Sequence, residues 1–308
     1  MKIRRSRIPS MAGIILVLAG IAGSRILWAQ EGGPECPQGS AGLSGSLQIV
    51  GSSSMEKLAR VLAEGFMEIY PDVSVNIQFT GTSAGMEAVA EGRADIGNVS
   101  RDLTEGERAR GIVENRVGLD GIAVCVDSGN PVDSLTEEQL AGIYTGEITS
   151  WAWVGGEDIP IVTVGRETVS GTRSAFEGLL GIENRCTYAN ELDSTGAVMA
   201  RVAATPGAIG YVSFDAVWGG TQGHTVKVLA LDGVPPGAET VKSGDYPLCR
   251  PLSMVTKGEL TSQNRLVTAW FDYVYGEEGR KAAEEAGVIK IPSKGNLHSE
   301  WQGEEDMR

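Results

Sequence analysis

The sequence predicts an α/β protein of two lobes joined by two chain crossings, a hinged clam-shell with a mixed sheet and flanking helices in each lobe. Three observations carry that expectation. From Leu47 onward, strand-like and helix-like patterns alternate, the arrangement that builds sheets with helical crossovers. The apolar run 121–126 leads through Asn130-Pro131 into a second segment with its own strands and helices, and the Pro-flanked piece 246–252 reads as the return crossing. Finally, three short Ser/Thr/Gly loops each follow an apolar strand and open directly into an amphipathic helix.

In chain order, residues 1–29 read as a secretory signal. Lys2, Arg4, Arg5 and Arg7 form a basic start, and 11–23 is an apolar stretch too short for a membrane span of about 20 residues. A polar, Gly/Pro-rich leader follows over 30–45. Met55, Leu58, Leu62, Phe66 and Ile69 fall on one helical face. Residues 73–79 alternate as a strand, Met86 and Val89 mark a short helix, and 94–97 is a further strand. In the second segment, 208–212 is a buried strand. Leu266, Val267, Trp270 and Val274 define a helix, 287–291 a last strand, and the chain ends in a polar tail. The lobes are therefore placed at 46–121 plus 252–292 and at 122–251, with the tail at 293–308.

Charge excludes whole classes of partner. The chain carries a net charge of −14, and loss of the five cations in residues 1–29 takes it to −19. Such a surface repels nucleic acid and anionic membranes. An anion site in this protein has to work through local dipoles and buried arginine, against a repulsive long-range field. Four cysteines (Cys36, Cys125, Cys186, Cys249) permit two disulfides in an exported protein, or stand as buried thiols. Trp151, Trp153, Trp218 and Trp270 read as core or lobe-surface packing residues. His224 and His298 are isolated, so no metal or cofactor is implied.

The three loops are Gly51-Ser52-Ser53-Ser54, Gly81-Thr82-Ser83-Ala84-Gly85, and Arg166 followed by Ser170-Gly171-Thr172. Unpaired N–H groups and a partial positive charge at a helix start suit an anion. Ser and Thr are also ordinary helix N-caps, so one such loop says little. Three in one chain, with an arginine four residues before the third Ser, point to one oxyanion held from several sides.

With these stretches goes a longer set: Ala94-Asp95-Ile96-Gly97 with Ser100-Arg101, Asp120-Gly121-Ile122-Ala123-Val124, Leu140 to Gly146, Trp151, and Gly165-Arg166-Glu167 with Ser170-Gly171-Thr172-Arg173 and Phe176. Ala208-Ile209-Gly210-Tyr211 and Tyr246-Pro247-Leu248 with Arg250-Pro251-Leu252 complete it. In this set the chain resembles the substrate-binding proteins of phosphate ABC transporters, the periplasmic phosphate-binding (PstS) family, over roughly residues 46–292. The resemblance implies a type II periplasmic-binding-protein-like fold, export to the periplasm and capture of inorganic phosphate in the inter-lobe cleft. It also implies delivery to the transmembrane permease subunits of an ABC importer, with the receptor a monomer and not an enzyme.

Carried over by matching position, it implies phosphate contacts from Ser53, Ser54, Thr82, Arg166, Ser170, Gly171 and Thr172. Ser100 stands where many members have an aspartate that accepts the proton of hydrogen phosphate; Asp95 and Asp102 are candidate substitutes. Arg101 has two readings, a contact to the anion or a pair with Asp102. For Arg173 a salt bridge is the expectation. Alternative functions on the same fold are an exported phosphate sensor or adhesion protein, or a receptor for another tetraoxyanion. A phosphoryl hydrolase would need a metal cluster or an activated nucleophile, and two scattered histidines supply neither.

Overall fold

The computed structural model describes residues 42–218 and 226–289. The signal, most of the leader, the tail, Cys36, His224 and His298 lie outside the described residues.

The chain starts with strand β1 (Gly45–Gly51), a 3-10 turn over Ser53–Met55, helix α1 (Glu56–Ile69) and strand β2 (Val73–Phe79). Helix α1 forms because Leu58, Ala59, Leu62, Ala63 and Phe66 recur at three- and four-residue spacing and are all buried. Helix α2 (Thr82–Ala90), strand β3 (Ile96–Val99) and the short helix α3 (Glu105–Ala109) follow. Strand β4 (Ile112–Asp127) is then 16 residues long. The sequence pattern gave only its second half: 112–120 mixes Glu114, Asn115, Arg116 and Asp120 with apolar residues, which hides the strand.

Beyond it come β5 (Ser134–Leu135), α4 (Glu137–Thr145), β6 (Val162–Arg166), α5 (Gly171–Leu179), β7 (Asn190–Leu192) and α6 (Thr195–Ala203). Strand β8 (Ala208–Ser213), helix α7 (Phe214–Trp218), β9 (Val226–Val228), β10 (Ala230–Leu231) and α8 (Ala238–Ser243) continue the segment. The return is strand β11 (Cys249–Lys257), before α9 (Arg265–Val274) and α10 (Glu277–Glu285). The expected last strand is reduced to a single bridge between Leu119 and Ile289, with Lys290 and Ile291 outside the described residues.

Nine strands form one sheet in the order β2-β1-β3-β11-β4-β8-β6-β7, with β9 also on β4. The sheet is mixed. β1 runs parallel to β2 and β3, and β6 runs parallel to β7 and β8, while β4 and β11 are antiparallel to their neighbours. Residues 112–121 of β4 pair with β11, and residues 122–127 pair with β8 and β9.

Two large cores sit along this path. One contains Leu47, Ile49, Phe66, Met254 and Trp270. The other contains Ile122 to Val126, Tyr144, Trp151, Phe176 and Tyr211. Strand β4 passes from one to the other. Trp151 and Trp270 are fully buried, as the packing expectation has it, but Trp153 is 65% exposed. Its neighbour Trp151 fills the core and donates Nε1–H to Gly207 O, which leaves Trp153 on the outer side of a 3-10 turn. Cys125 and Cys186 are free thiols, and burial pushes Cys125 up to about 12.

Candidate functional site

Parallel strands aligned in register deliver their carboxyl ends together. At the ends of β1, β2 and β3 stand Ser52-Ser53-Ser54, Gly81-Thr82 and Ser100; at the ends of β6, β7 and β8 stand Arg166, Asp193-Ser194-Thr195 and Ser213. Gly51 makes the first turn possible. It holds φ +149°, and a Cβ there would lie 2.2 Å from Asn98 O. Its carbonyl accepts from Gly81 N at 2.9 Å, which ties the first two loops together.

The two sets of strand ends meet. Arg166 Nη2 donates to Ser53 Oγ at 3.0 Å, Thr172 Oγ1 to Ser54 Oγ at 3.4 Å, and Ser213 Oγ to Ser54 O at 3.4 Å. Ser83 N donates to Val169 O at 3.1 Å. Within the first set, Ser52 Oγ lies 2.8 Å from both Ser54 Oγ and Ser100 Oγ, and Thr82 Oγ1 lies 3.4 Å from Ser100 Oγ. Gly171 closes the ring: a Cβ on it would fall 2.3 Å from Thr82 Oγ1 and 2.7 Å from Ser100 Oγ. Ser53, Ser54, Thr82, Ser100, Arg166, Gly171 and Thr172, all anticipated, therefore gather in one buried cluster. Ser170 adjoins it, with its hydroxyl turned back to cap α5 by accepting from Arg173 N. Thr82 and Thr172 are not caps; the Ncap positions belong to Gly81 and Ser170.

Arg166 is 2% exposed, and every acceptor its side chain reaches is neutral. Nε donates to Leu192 O, Nη1 to Thr195 Oγ1, and Nη2 to Asp193 O as well as to Ser53. Burial brings its pKa down to about 10, and the neighbouring Arg250 cation adds to the effect. It stays protonated at neutral pH. A buried cation without a counter-charge is costly, and charge-assisted bonds from a planar fork favour a tetrahedral oxyanion.

The other guanidinium nearby is already neutralised. Arg250 Nε and Nη2 donate to Asp120 Oδ2 at 3.0 and 2.7 Å, and Nη1 donates to Ser100 O at 3.3 Å. Asp120 also accepts from Ser213 Oγ and Phe214 N. Among the described residues no carboxylate hydrogen-bonds the Arg166 side chain, so the site is a positive charge set among hydroxyls and backbone carbonyls, with Asp193 and Glu167 acting on it only through space.

Arg101 has a partner that the sequence reading did not name. Its guanidinium forms a two-pronged pair with Glu107 at 2.9 and 2.8 Å, and it meets Asp102 through the backbone oxygen and not the carboxylate. Glu107 belongs to the capping box of α3, and that fixed carboxylate takes the arginine. Neither candidate substitute carboxylate joins the cluster: Asp95 accepts from Gln48 N, and Asp102 pairs with Arg116. Sequence reading missed Ser52, Thr195, Ser213 and the Arg250–Asp120 pair. Leu192-Asp193-Ser194-Thr195 was a fourth strand–Ser/Thr–helix junction of the kind already recognised. The ion pair left no local signal, because its partners lie 130 positions apart.

Residues 37–278 match the family model for a PBP superfamily domain. The phosphate-binding protein PstS of Bacillus subtilis (strain 168) is 34% identical over 91% of this chain and 92% of its own length. That of Pseudomonas aeruginosa PAO1 is 28% identical over 92% of this chain and 95% of its own length. Among solved structures, a putative phosphate ABC transporter substrate-binding protein from Clostridium perfringens, crystallised with bound phosphate, superposes with a TM-score of 0.75. It shares 35% identity and covers 80% of this chain and 100% of its own. An ABC-type phosphate transport receptor from Vibrio cholerae gives a TM-score of 0.66 at 31% identity, over 79% of this chain and 99% of its own. With a mixed α/β fold, strand-end loops meeting around a buried arginine and these relatives, the chain belongs to the PstS family of phosphate ABC transporter substrate-binding proteins.

Proposed function

We propose that the protein captures inorganic phosphate between two lobes, 46–121 plus 252–292 and 122–251, and presents it outside the membrane to the permease of an ABC importer. The observation that carries this reading is the buried Arg166 guanidinium, whose acceptors are all neutral, ringed by Ser53, Ser54, Thr82, Ser100, Gly171 and Thr172. A bound oxyanion supplies the missing counter-charge. Charge-assisted hydrogen bonds contribute roughly 1.5–3 kcal/mol each, so a few suffice for the roughly −8 kcal/mol of micromolar affinity. Strands β4 and β11 serve as the hinge, and closure around the anion is the signal that the permease reads. The receptor acts as a monomer and performs no chemistry on its cargo.

Selectivity over sulfate rests on the proton that phosphate keeps at neutral pH. Ser100 Oγ can accept that proton's hydrogen bond; because the hydroxyl can also turn to donate, it penalises sulfate less than an acceptor-only carboxylate at that place would. Calorimetric titration with phosphate and with sulfate at two pH values tests the reading. Phosphate is expected to bind, sulfate far more weakly, and Arg166→Ala is expected to weaken phosphate by about tenfold or more. Equal affinity for the two anions refutes phosphate as the cargo.

A further inference from the structure

The backbone of Arg166 is gripped from behind the site by a closed circuit of hydrogen bonds. Arg166 N–H donates to Tyr211 Oη at 3.3 Å, Tyr211 Oη–H to Tyr188 Oη at 3.2 Å, and Tyr188 Oη–H to Glu177 Oε1 at 2.8 Å. From the other side, Arg173 Nη1 donates to Arg166 O at 2.9 Å, while Arg173 Nε donates to the same Glu177 Oε1 at 2.8 Å. Both arms leave the Arg166 residue, one from its N–H and one from its carbonyl, and both end on one carboxylate oxygen.

Each hydroxyl in the circuit has one direction open to it. Tyr211 must receive from a backbone N–H, so its own proton goes to Tyr188, and Tyr188 must pass its proton to an acceptor. Glu177 is the one group in the circuit that only accepts when ionised. Packing fixes the same parts. Tyr188 lies against the Gly165 backbone, where a Cβ would come within 2.2 Å of its ring. The Arg173 guanidinium sits 4.6 Å over the Tyr188 ring centroid, and Tyr211 stacks on Phe176 at 4.0 Å. Glu177 is 8% exposed. Burial holds both tyrosine hydroxyls well above their ordinary range, so they remain donors across the physiological pH range.

We infer that Glu177 is a positioning residue for the anion site, acting through Tyr188, Tyr211 and Arg173 to fix the Arg166 peptide and aim its guanidinium. A cation held by neutral acceptors has no strong partner to orient it, so its direction comes from its backbone and from the group that anchors that backbone. The inference deepens the phosphate reading and rests on it for its affinity measurements.

The test is a double-mutant cycle with phosphate affinity as one readout and Arg166 itself as the other. Tyr188→Phe, which keeps the ring and removes only the relay proton, is expected to lower phosphate affinity about fivefold, the worth of one hydrogen bond. Glu177→Ala is expected to lower it at least as much, and Glu177→Gln, which retains the acceptor oxygen, to restore most of it. In an Arg166→Ala background, neither Tyr188→Phe nor Glu177→Ala is expected to weaken binding further, since coupled residues are non-additive.

Independently of any ligand, the Nε–H resonance of Arg166, assigned by its loss in Arg166→Ala, is expected to be protected from exchange in the wild type. In Tyr188→Phe it is expected to broaden. Additive losses in the cycle, or an Arg166 signal and affinity both unchanged in Tyr188→Phe, overturn the positioning role. A wild type that binds no phosphate, with the Arg166 signal still broadened in Tyr188→Phe, removes the cargo assignment and leaves the circuit standing.

Discussion

Residue identity decides most at two positions of the cluster. Arg166 and Arg101 both stand at the end of a strand and both look suited to an anion in the sequence, yet Arg101 is consumed by Glu107 while the acceptors that Arg166 reaches among the described residues are neutral oxygens. The difference lies in which carboxylates the fold brings near, and a buried charge without one is the informative observation. Gly171 is the second such position. A methyl group there would overlap Thr82 Oγ1 and Ser100 Oγ, which belong to the other set of strand ends. Gly171→Ala is therefore expected to hold the two sets apart and weaken phosphate binding by about tenfold or more, with little change in ligand-free stability. Titration calorimetry beside a melting curve checks it; an unchanged affinity would mean that the cluster opens at no cost.

Whole elements are built to bring loops to one place and are stabilised by local devices outside the site. Helix α9 buries Val267, Trp270, Phe271 and Val274, and its start is capped by Asn264, whose Oδ1 accepts from Leu266 N and Val267 N at 3.0 Å each. Asn264→Ala is expected to cost about 1 kcal/mol of stability and to leave phosphate affinity untouched, measurable by urea denaturation with and without phosphate. Strand β4 shows the opposite economy. Its residues serve two pairings, with β11 over the first part and with β8 and β9 over the second, and Leu252/Ser253 of β11 shifts register beside it. A bulge at this point turns the strand, which suits the position where the chain passes between cores.

Across the whole molecule, the groups around β4 and β11 link pH to stability. Asp215, at the start of α7, is pushed up to about 6, first by burial and then by the Asp120 carboxylate from β4; Lys57 of α1 and Arg250 of β11 pull the other way. Its Oδ1 is buried without a hydrogen-bond partner among the described residues. For an acid whose folded pKa lies above its unfolded value, the contribution to stability is fully present below about pH 4 and lost as pH rises through about 6. Asp215→Asn removes that loss. The variant is expected to gain on the wild type by about 1–3 kcal/mol between pH 4 and pH 7, read from thermal or urea unfolding at four pH values. A difference independent of pH would mean that Asp215 ionises as an ordinary surface carboxylate.

The sequence by itself determined where strands hand over to Ser/Thr/Gly loops, because hydrophobic period, glycine and hydroxyl residues are local signals read within ten residues. That was enough to mark the three loops and to recognise the family from motifs that match in order, and it was the family resemblance that named Ser53, Ser54, Thr82, Arg166, Gly171 and Thr172. Only the tertiary structure decided that the loops share one cluster, that Arg101 is neutralised and Arg250 paired with Asp120, and that Glu177 closes a circuit behind Arg166. Those outcomes depend on contacts between residues from 4 to 159 positions apart. The physical reason is that a charge is defined by its neighbours: composition tells which groups can ionise, and packing alone tells which of them are left without a counter-ion.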